Sequence, residues 1–145
     1  MASVNPTIFF HPEAFNIDTP KLMGRNAAGH SFLKAFLQYT KHQCHWIYSN
    51  NSQFKSIYSD IAKASNRFEE IRLINQRNLS QLSNSGLLFY PGPDISHQAR
   101  FRSSINDKSW SLCGITHTTS SIGAMESLSD LIVSPVYPWD AIICT

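Results

Sequence analysis

Short apolar runs alternate with helix-patterned segments along almost the whole 145-residue chain, and no other feature constrains the fold as much. Runs at residues 7–10, 45–48, 70–74, 87–90, 110–116 and 141–144 have the length and the β-branched or aromatic content of strands. Between them, residues 26–40 place Gly29, Phe32, Leu33, Phe36 and Leu37 on one helix face. Phe54, Ile57, Tyr58 and Ile61 recur at i, i+3, i+4 and i+7. Strands separated by helices pair in parallel, so the pattern predicts an α/β, Rossmann-like three-layer domain with a mostly parallel sheet.

Boundary residues sharpen this plan. Ser52 and Asp94 are candidate N-caps, and Gly86 closes a polar helix carrying Leu79 and Leu82. Residues 11–22 read as a Pro-punctuated loop, and Pro91-Gly92-Pro93 is a strong turn signal. Gly114, inside a strand, marks a close backbone approach. Thr119, Ser120 and Ser121 supply capping oxygens for a helix to about residue 133, with Ile122, Met125, Leu128 and Ile132 expected inward. A parallel strand closing the sequence, with no helix to cover it, leads to the expectation that these residues are the N-terminal part of a longer protein.

Composition removes several classes. At 42% hydrophobic and 15% charged residues the chain is an ordinary globular mixture, long enough for one domain with its own core. The net charge is only +2 and the basic residues are scattered, so no nucleic acid partner is indicated. Three cysteines, Cys44, Cys113 and Cys144, form an odd set beside or inside apolar runs, which predicts buried free thiols in a reducing compartment. There is no secretion signal and no transmembrane segment, and the chain reads as cytoplasmic. His42, Cys44 and His45 do not have zinc spacing, so no metal is expected, and no cofactor is implied. Ser120 and Ser121 lie outside any G-x-S-x-G elbow and read as helix caps.

Residues 23–37, M-G-R-N-A-A-G-H-S-F-L-K-A-F-L, carry the densest chemical signal. A small-residue loop, Gly24, Arg25, Asn26, Ala27, Ala28 and Gly29, is expected to turn into a helix whose N-terminal amides suit an anion. His30 stands where a phosphate-loop lysine would be, and about a dozen residues separate the loop from the preceding strand. An ATPase is therefore rejected, and the dinucleotide fingerprint fails too. A tight turn that lets a helix pack closely on a strand explains the same residues without a ligand.

Three separated motifs together carry a family likeness: H-P-E-A-F-N-I-D-T-P-K-L-M-G-R-N-A-A-G-H-S-F-L at 11–33, S-L-C-G-I-T-H-T-T-S-S at 111–121, and P-V-Y-P-W-D-A-I-I-C-T at 135–145. In this order they resemble the N-terminal domain of bacterial GT-B type glycosyltransferases of the retaining group-1 (family 4) class. The resemblance implies an acceptor-side Rossmann-like domain facing a second domain that holds most of the nucleotide-sugar donor; that domain, with its E-x7-E motif, has no counterpart here. The fragment alone would fold without turning over. Gly24 to Gly29 match a glycine-rich loop that approaches donor phosphates and acceptor, and His117 matches a histidine near the transferred sugar. Arg25 as a phosphate contact is a physical reading, and His30 has no assigned role.

The chemistry agrees with that assignment. Sugar transfer from a nucleoside diphosphate builds negative charge on the departing phosphate, which amides and a cation stabilise. His117 follows a strand, where open α/β sheets place ligands, and is flanked by Thr116, Thr118 and Thr119. The acceptor is not identifiable from sequence. Tyr137 and Trp139 are candidates for an interdomain surface or for packing under the last strand, and a patch bared by a missing domain could drive self-association of the fragment. The alternative function is a self-contained flavodoxin-like module binding a nucleotide or small ligand. Neither a receiver's acidic cluster nor a flavin module's Ser/Thr-rich loop follows the first strand.

Overall fold

A computed structural model describes residues 5–15 and 24–144, leaving aside the Arg25 side chain. The later part of the predicted first loop, with Asp18 and Pro20, lies outside the described residues, as does Thr145. The fold is α/β and Rossmann-like. Six parallel strands, β1 (Thr7–Phe9), β2 (Cys44–Tyr48), β3 (Glu70–Ile74), β4 (Leu87–Phe89), β5 (Ser111–Thr116) and β6 (Ala141–Cys144), run in the order β3-β2-β1-β4-β5-β6. This is the Rossmann strand order, and it differs from the 2-1-3-4-5 order of flavodoxin-like sheets, which are doubly wound as well. Helices α1 (Pro12–Phe15), α2 (Gly24–Tyr39), α3 (Phe54–Ala64), α4 (Leu82–Ser85), α5 (Ser96–Ser103) and α6 (Ile122–Asp130) fill the connections. The chain forms two compact units, Phe9–Leu79 and Met1–Ile8 with Ser80–Thr145. Among the described residues, no helix is long and apolar enough to cross a membrane.

In the unit Phe9–Leu79, β2 and β3 pair from Cys44↔Glu70 to Tyr48↔Ile74. The core is aromatic: Phe10 stacks on Phe15 at 5.3 Å and meets Tyr58 edge-on at 5.2 Å, over buried Leu33, Leu37, Ile47 and Ile74. Helix α2 buries the predicted face, Gly29, Leu33, Phe36 and Leu37, with Phe32 half-buried. Helix α3 buries Tyr58 and Ala62 but leaves Ile57 exposed. Ser52 does not cap α3; Asn51 Oδ1 accepts from the Gln53 N–H at 3.0 Å, so the turn closes one residue earlier than predicted.

One polar cluster is set into this aromatic core. His45 Nδ1 and the Tyr58 hydroxyl are 2.8 Å apart, both residues being buried. His45 Nε2 has no hydrogen-bond partner and stands 4.0 Å from Glu69. Arg67 pairs with Glu69 at 2.7 Å and donates to the Thr40 carbonyl at 2.7 Å, tying it to the end of α2. Burial pushes the His45 imidazole below its ordinary 6.5, against the opposing pull of Glu69.

In the other unit, β4 pairs with β1 (Thr7↔Leu88, Ile8↔Phe89) and with β5, and β5 pairs with β6 through Thr116↔Cys144. Gly86 ends α4 with φ 70°, the left-handed conformation expected of it. Gly114 is in close approach as predicted: a Cβ there would lie 2.8 Å from the Gly92 carbonyl oxygen. Asp94 does not cap α5, which starts after Ile95 without a side-chain cap. Ser121 does cap α6, accepting from the Ala124 N–H at 3.2 Å.

Two expectations are corrected here. Helix α6 keeps Leu128 half-buried as predicted, but the residues that join it are Ala124 and Ser127, whereas Ile122 is 72% and Ile132 86% exposed, with Met125 also exposed. Both stripes have helical spacing, and Asp130 at the end of α6 forms an exposed bidentate pair with Arg100 of α5 (2.9 and 2.7 Å). All three cysteines are free, but none is buried: Cys44 and Cys113 are half-buried and Cys144 is exposed on the edge strand.

Arg102 of α5 is fully buried and forks onto Asp140 at 2.6 and 2.7 Å, while also donating to the carbonyls of Trp110 (2.9 Å) and Pro135 (3.0 Å). Asp140 in turn accepts from the backbone N–H groups of Leu112 and Tyr137. Arg102→Met strands that carboxylate and is expected to lower the unfolding free energy by about 3–5 kcal/mol in urea titrations, with partial recovery on adding Asp140→Leu. A second prediction concerns His45. The unfolded chain takes up a proton near 6.5 that the folded one resists, so this contribution is complete above 6.5 and lost as pH falls beneath it. Urea titrations between pH 7 and 5 should show a loss of stability that His45→Gln reduces; equal losses in both proteins would contradict it.

Candidate functional site

The carboxyl end of β5 delivers a run of hydrogen-bonding side chains. Thr116, the last strand residue, is buried, and its Oγ1 reaches the Ile143 carbonyl at 3.5 Å, so this hydroxyl serves the sheet. His117 follows, half-buried at the strand's carboxyl edge. Thr118 Oγ1 accepts from the Ser120 N–H at 3.1 Å and lies 2.7 Å from the Ser120 hydroxyl, a local turn that fixes the path beyond the histidine. Thr119 is exposed on that turn, and Ser121 then starts α6. The place where a Gly123 side chain would begin is open space. The segment 116–124 therefore presents an imidazole and hydroxyls with no carboxylate, a set suited to a neutral, hydroxyl-rich ligand.

The other predicted set belongs to the unit Phe9–Leu79. Gly24, Arg25, Asn26, Ala27, Ala28 and Gly29 are the opening of α2 and not a loop. Ala27 and Ala28 favour helix, and helical geometry carries through Gly29. Two of these residues are taken up by packing. Asn26 is buried with Nδ2 donating to the Glu13 carbonyl at 2.5 Å, and its Oδ1 lacks a partner. Gly29 lies against the Ala14 carbonyl oxygen, where any Cβ would collide. Gly24, Ala27 and Ala28 are exposed. The first turn of a 16-residue helix keeps its amides without intrahelical acceptors, which suits an anion.

His30, left without a role by sequence, is half-buried and lines an apolar groove of about 540 Å³ with Leu33, Lys34, Leu37, Ile57 and Ile61. The His45–Tyr58–Glu69 cluster escaped sequence reading, which weighed His45 only as a metal ligand. Its signal was a histidine and a glutamate placed in or beside apolar strands, and nothing local pairs them.

The packing role of Gly29 is testable without a ligand. Gly29→Ala is expected to destabilise the chain by about 1–3 kcal/mol through overpacking, whereas Gly24→Ala, into open space, should stay within about 0.5 kcal/mol in the same urea titration. No family model, curated protein or solved structure matches the chain.

Proposed function

We propose that the chain is the acceptor-side domain of a nucleotide-sugar-dependent glycosyltransferase that works with retention, and that a second domain supplies most donor contacts. The observation that carries this reading is the carboxyl edge of β5, where a half-buried histidine leads into a hydroxyl-lined turn capped into a helix. The three ordered motifs at 11–33, 111–121 and 135–145 and the doubly wound strand order support it.

The transfer breaks the bond between the anomeric carbon and the diphosphate oxygen, which keeps the electron pair. A new bond forms from that carbon to an acceptor hydroxyl oxygen, whose proton passes to the departing diphosphate oxygen. His117 hydrogen-bonds the transferred sugar, with Thr118 and Thr119 as neighbouring hydroxyls. Amides at the start of α2 suit an anionic phosphate, and Arg25 is the cation that the sequence offers beside them. Asn26 and Gly29 hold that turn in place through Glu13 and Ala14. The 145 residues alone bind without turnover, in the cytoplasm, where free thiols stay reduced.

In the protein carrying both domains, His117→Ala is expected to lower sugar transfer by about a hundredfold with an unchanged melting temperature. Release of nucleoside diphosphate from a panel of nucleotide sugars measures it. Undiminished transfer takes His117 out of the site, and a protein that consumes none of the panel overturns the whole reading.

A further inference from the structure

At the amino-terminal ends of β4, β5 and β6, away from His117 and within the same unit, lies a groove of about 500 Å³ lined by Gly86, Lys108, Ser109, Trp110, Ser111 and Trp139. Its aromatic wall is held from behind. Trp139, 43% exposed, stacks on Tyr137 with ring centres 4.8 Å apart and planes at 13°. The Tyr137 hydroxyl donates to Asp107 at 2.7 Å, its backbone N–H donates to Asp140 at 2.9 Å, and the buried Arg102 guanidinium lies 5.4 Å from its ring centre. An exposed indole backed by such a stack is a preorganised platform, for which little ordering is left to a ligand.

The polar lining is biased toward donors. Lys108 is exposed and has no ion-pair partner among the described residues, and no carboxylate lines the groove. Trp110 is only 3% exposed, and its indole N–H is buried without an acceptor. That N–H is too enclosed to meet a ligand in the groove, so Lys108 is the donor that the lining offers. One open aromatic wall suits a ring with a single apolar face and oxygens on its rim, which is a pyranose. A flat aromatic ligand would leave its second face in water. The lysine adds a preference for an anionic substituent.

We infer that this groove binds a sugar ring bearing a carboxylate, a uronic-acid unit, with the ring on Trp139 and the carboxylate on Lys108. The inference does not depend on sugar transfer. Titrating the ¹⁵N-labelled chain with methyl glucuronide, methyl glucoside and benzoate tests it through the three tryptophan indole resonances. Methyl glucuronide is expected to shift the Trp139 resonance saturably while Trp46 stays fixed, and methyl glucoside to bind about tenfold more weakly. Lys108→Ala, at an exposed position, should weaken glucuronide by about tenfold, and Trp139→Ala should abolish its binding with the Trp46 resonance retained as the check on folding. The inference is overturned if no saturable shift occurs at Trp139, if either variant binds as the parent does, or if benzoate binds as tightly as the glucuronide.

Discussion

A guanidinium taken wholly out of water must find an acceptor for nearly every donor, and the unit containing β4 to β6 is arranged around that demand at Arg102. The carboxylate of Asp140 and the carbonyls of Trp110 and Pro135 meet it, drawing on the connections before β5 and before β6. Asp140 carries the constraint on to the backbone at Leu112 in β5 and at Tyr137 before β6. Strand β6 buries little of itself, so apolar contact alone gives it a weak hold. The ion pair anchors its entry, and the Tyr137–Trp139 stack rests on the same anchor.

The unit Phe9–Leu79 answers a different demand. Its rings crowd Phe10, and a histidine inside that apolar setting is tolerable only while neutral or well paired. Tyr58 satisfies one ring nitrogen, and Glu69, itself held by Arg67, faces the other. The close fit of α2 on α1 imposes a second restriction, since the Gly29 position has no room for a side chain.

Strand positions were legible because apolar β-branched and aromatic runs are bounded by turn chemistry; β3 and β6 match their expected bounds and the other four differ by one residue at an end. Residue type alone misplaced two caps. Ser52 and Asp94 are good cap formers, yet the helices start at Phe54 and Ser96 behind non-capping residues, because neighbouring turns set the chain's entry. The inward stripe of α6 was not legible for another reason. Two overlapping stripes fit the period, and periodicity alone does not choose between them. The opening of α2 was read as a loop because glycines bracket it, although the two alanines between them favour helix.

Sites at the two ends of a parallel sheet differ in how far sequence can reveal them. At the carboxyl edge, strand, turn and helix start follow one another directly, so His117, its hydroxyls and the Ser121 cap occupy one contiguous stretch and can be read as a motif. At the amino edge, each wall comes from a connection that arrives from elsewhere. Gly86 ends one helix, Lys108 to Trp110 close a loop, and Trp139 follows a proline-rich turn, so their meeting depends on the register of β4, β5 and β6. An orphaned indole N–H in that setting has no sequence signature, because its lack of an acceptor is a property of the packed edge and not of the residues beside Trp110 in the chain.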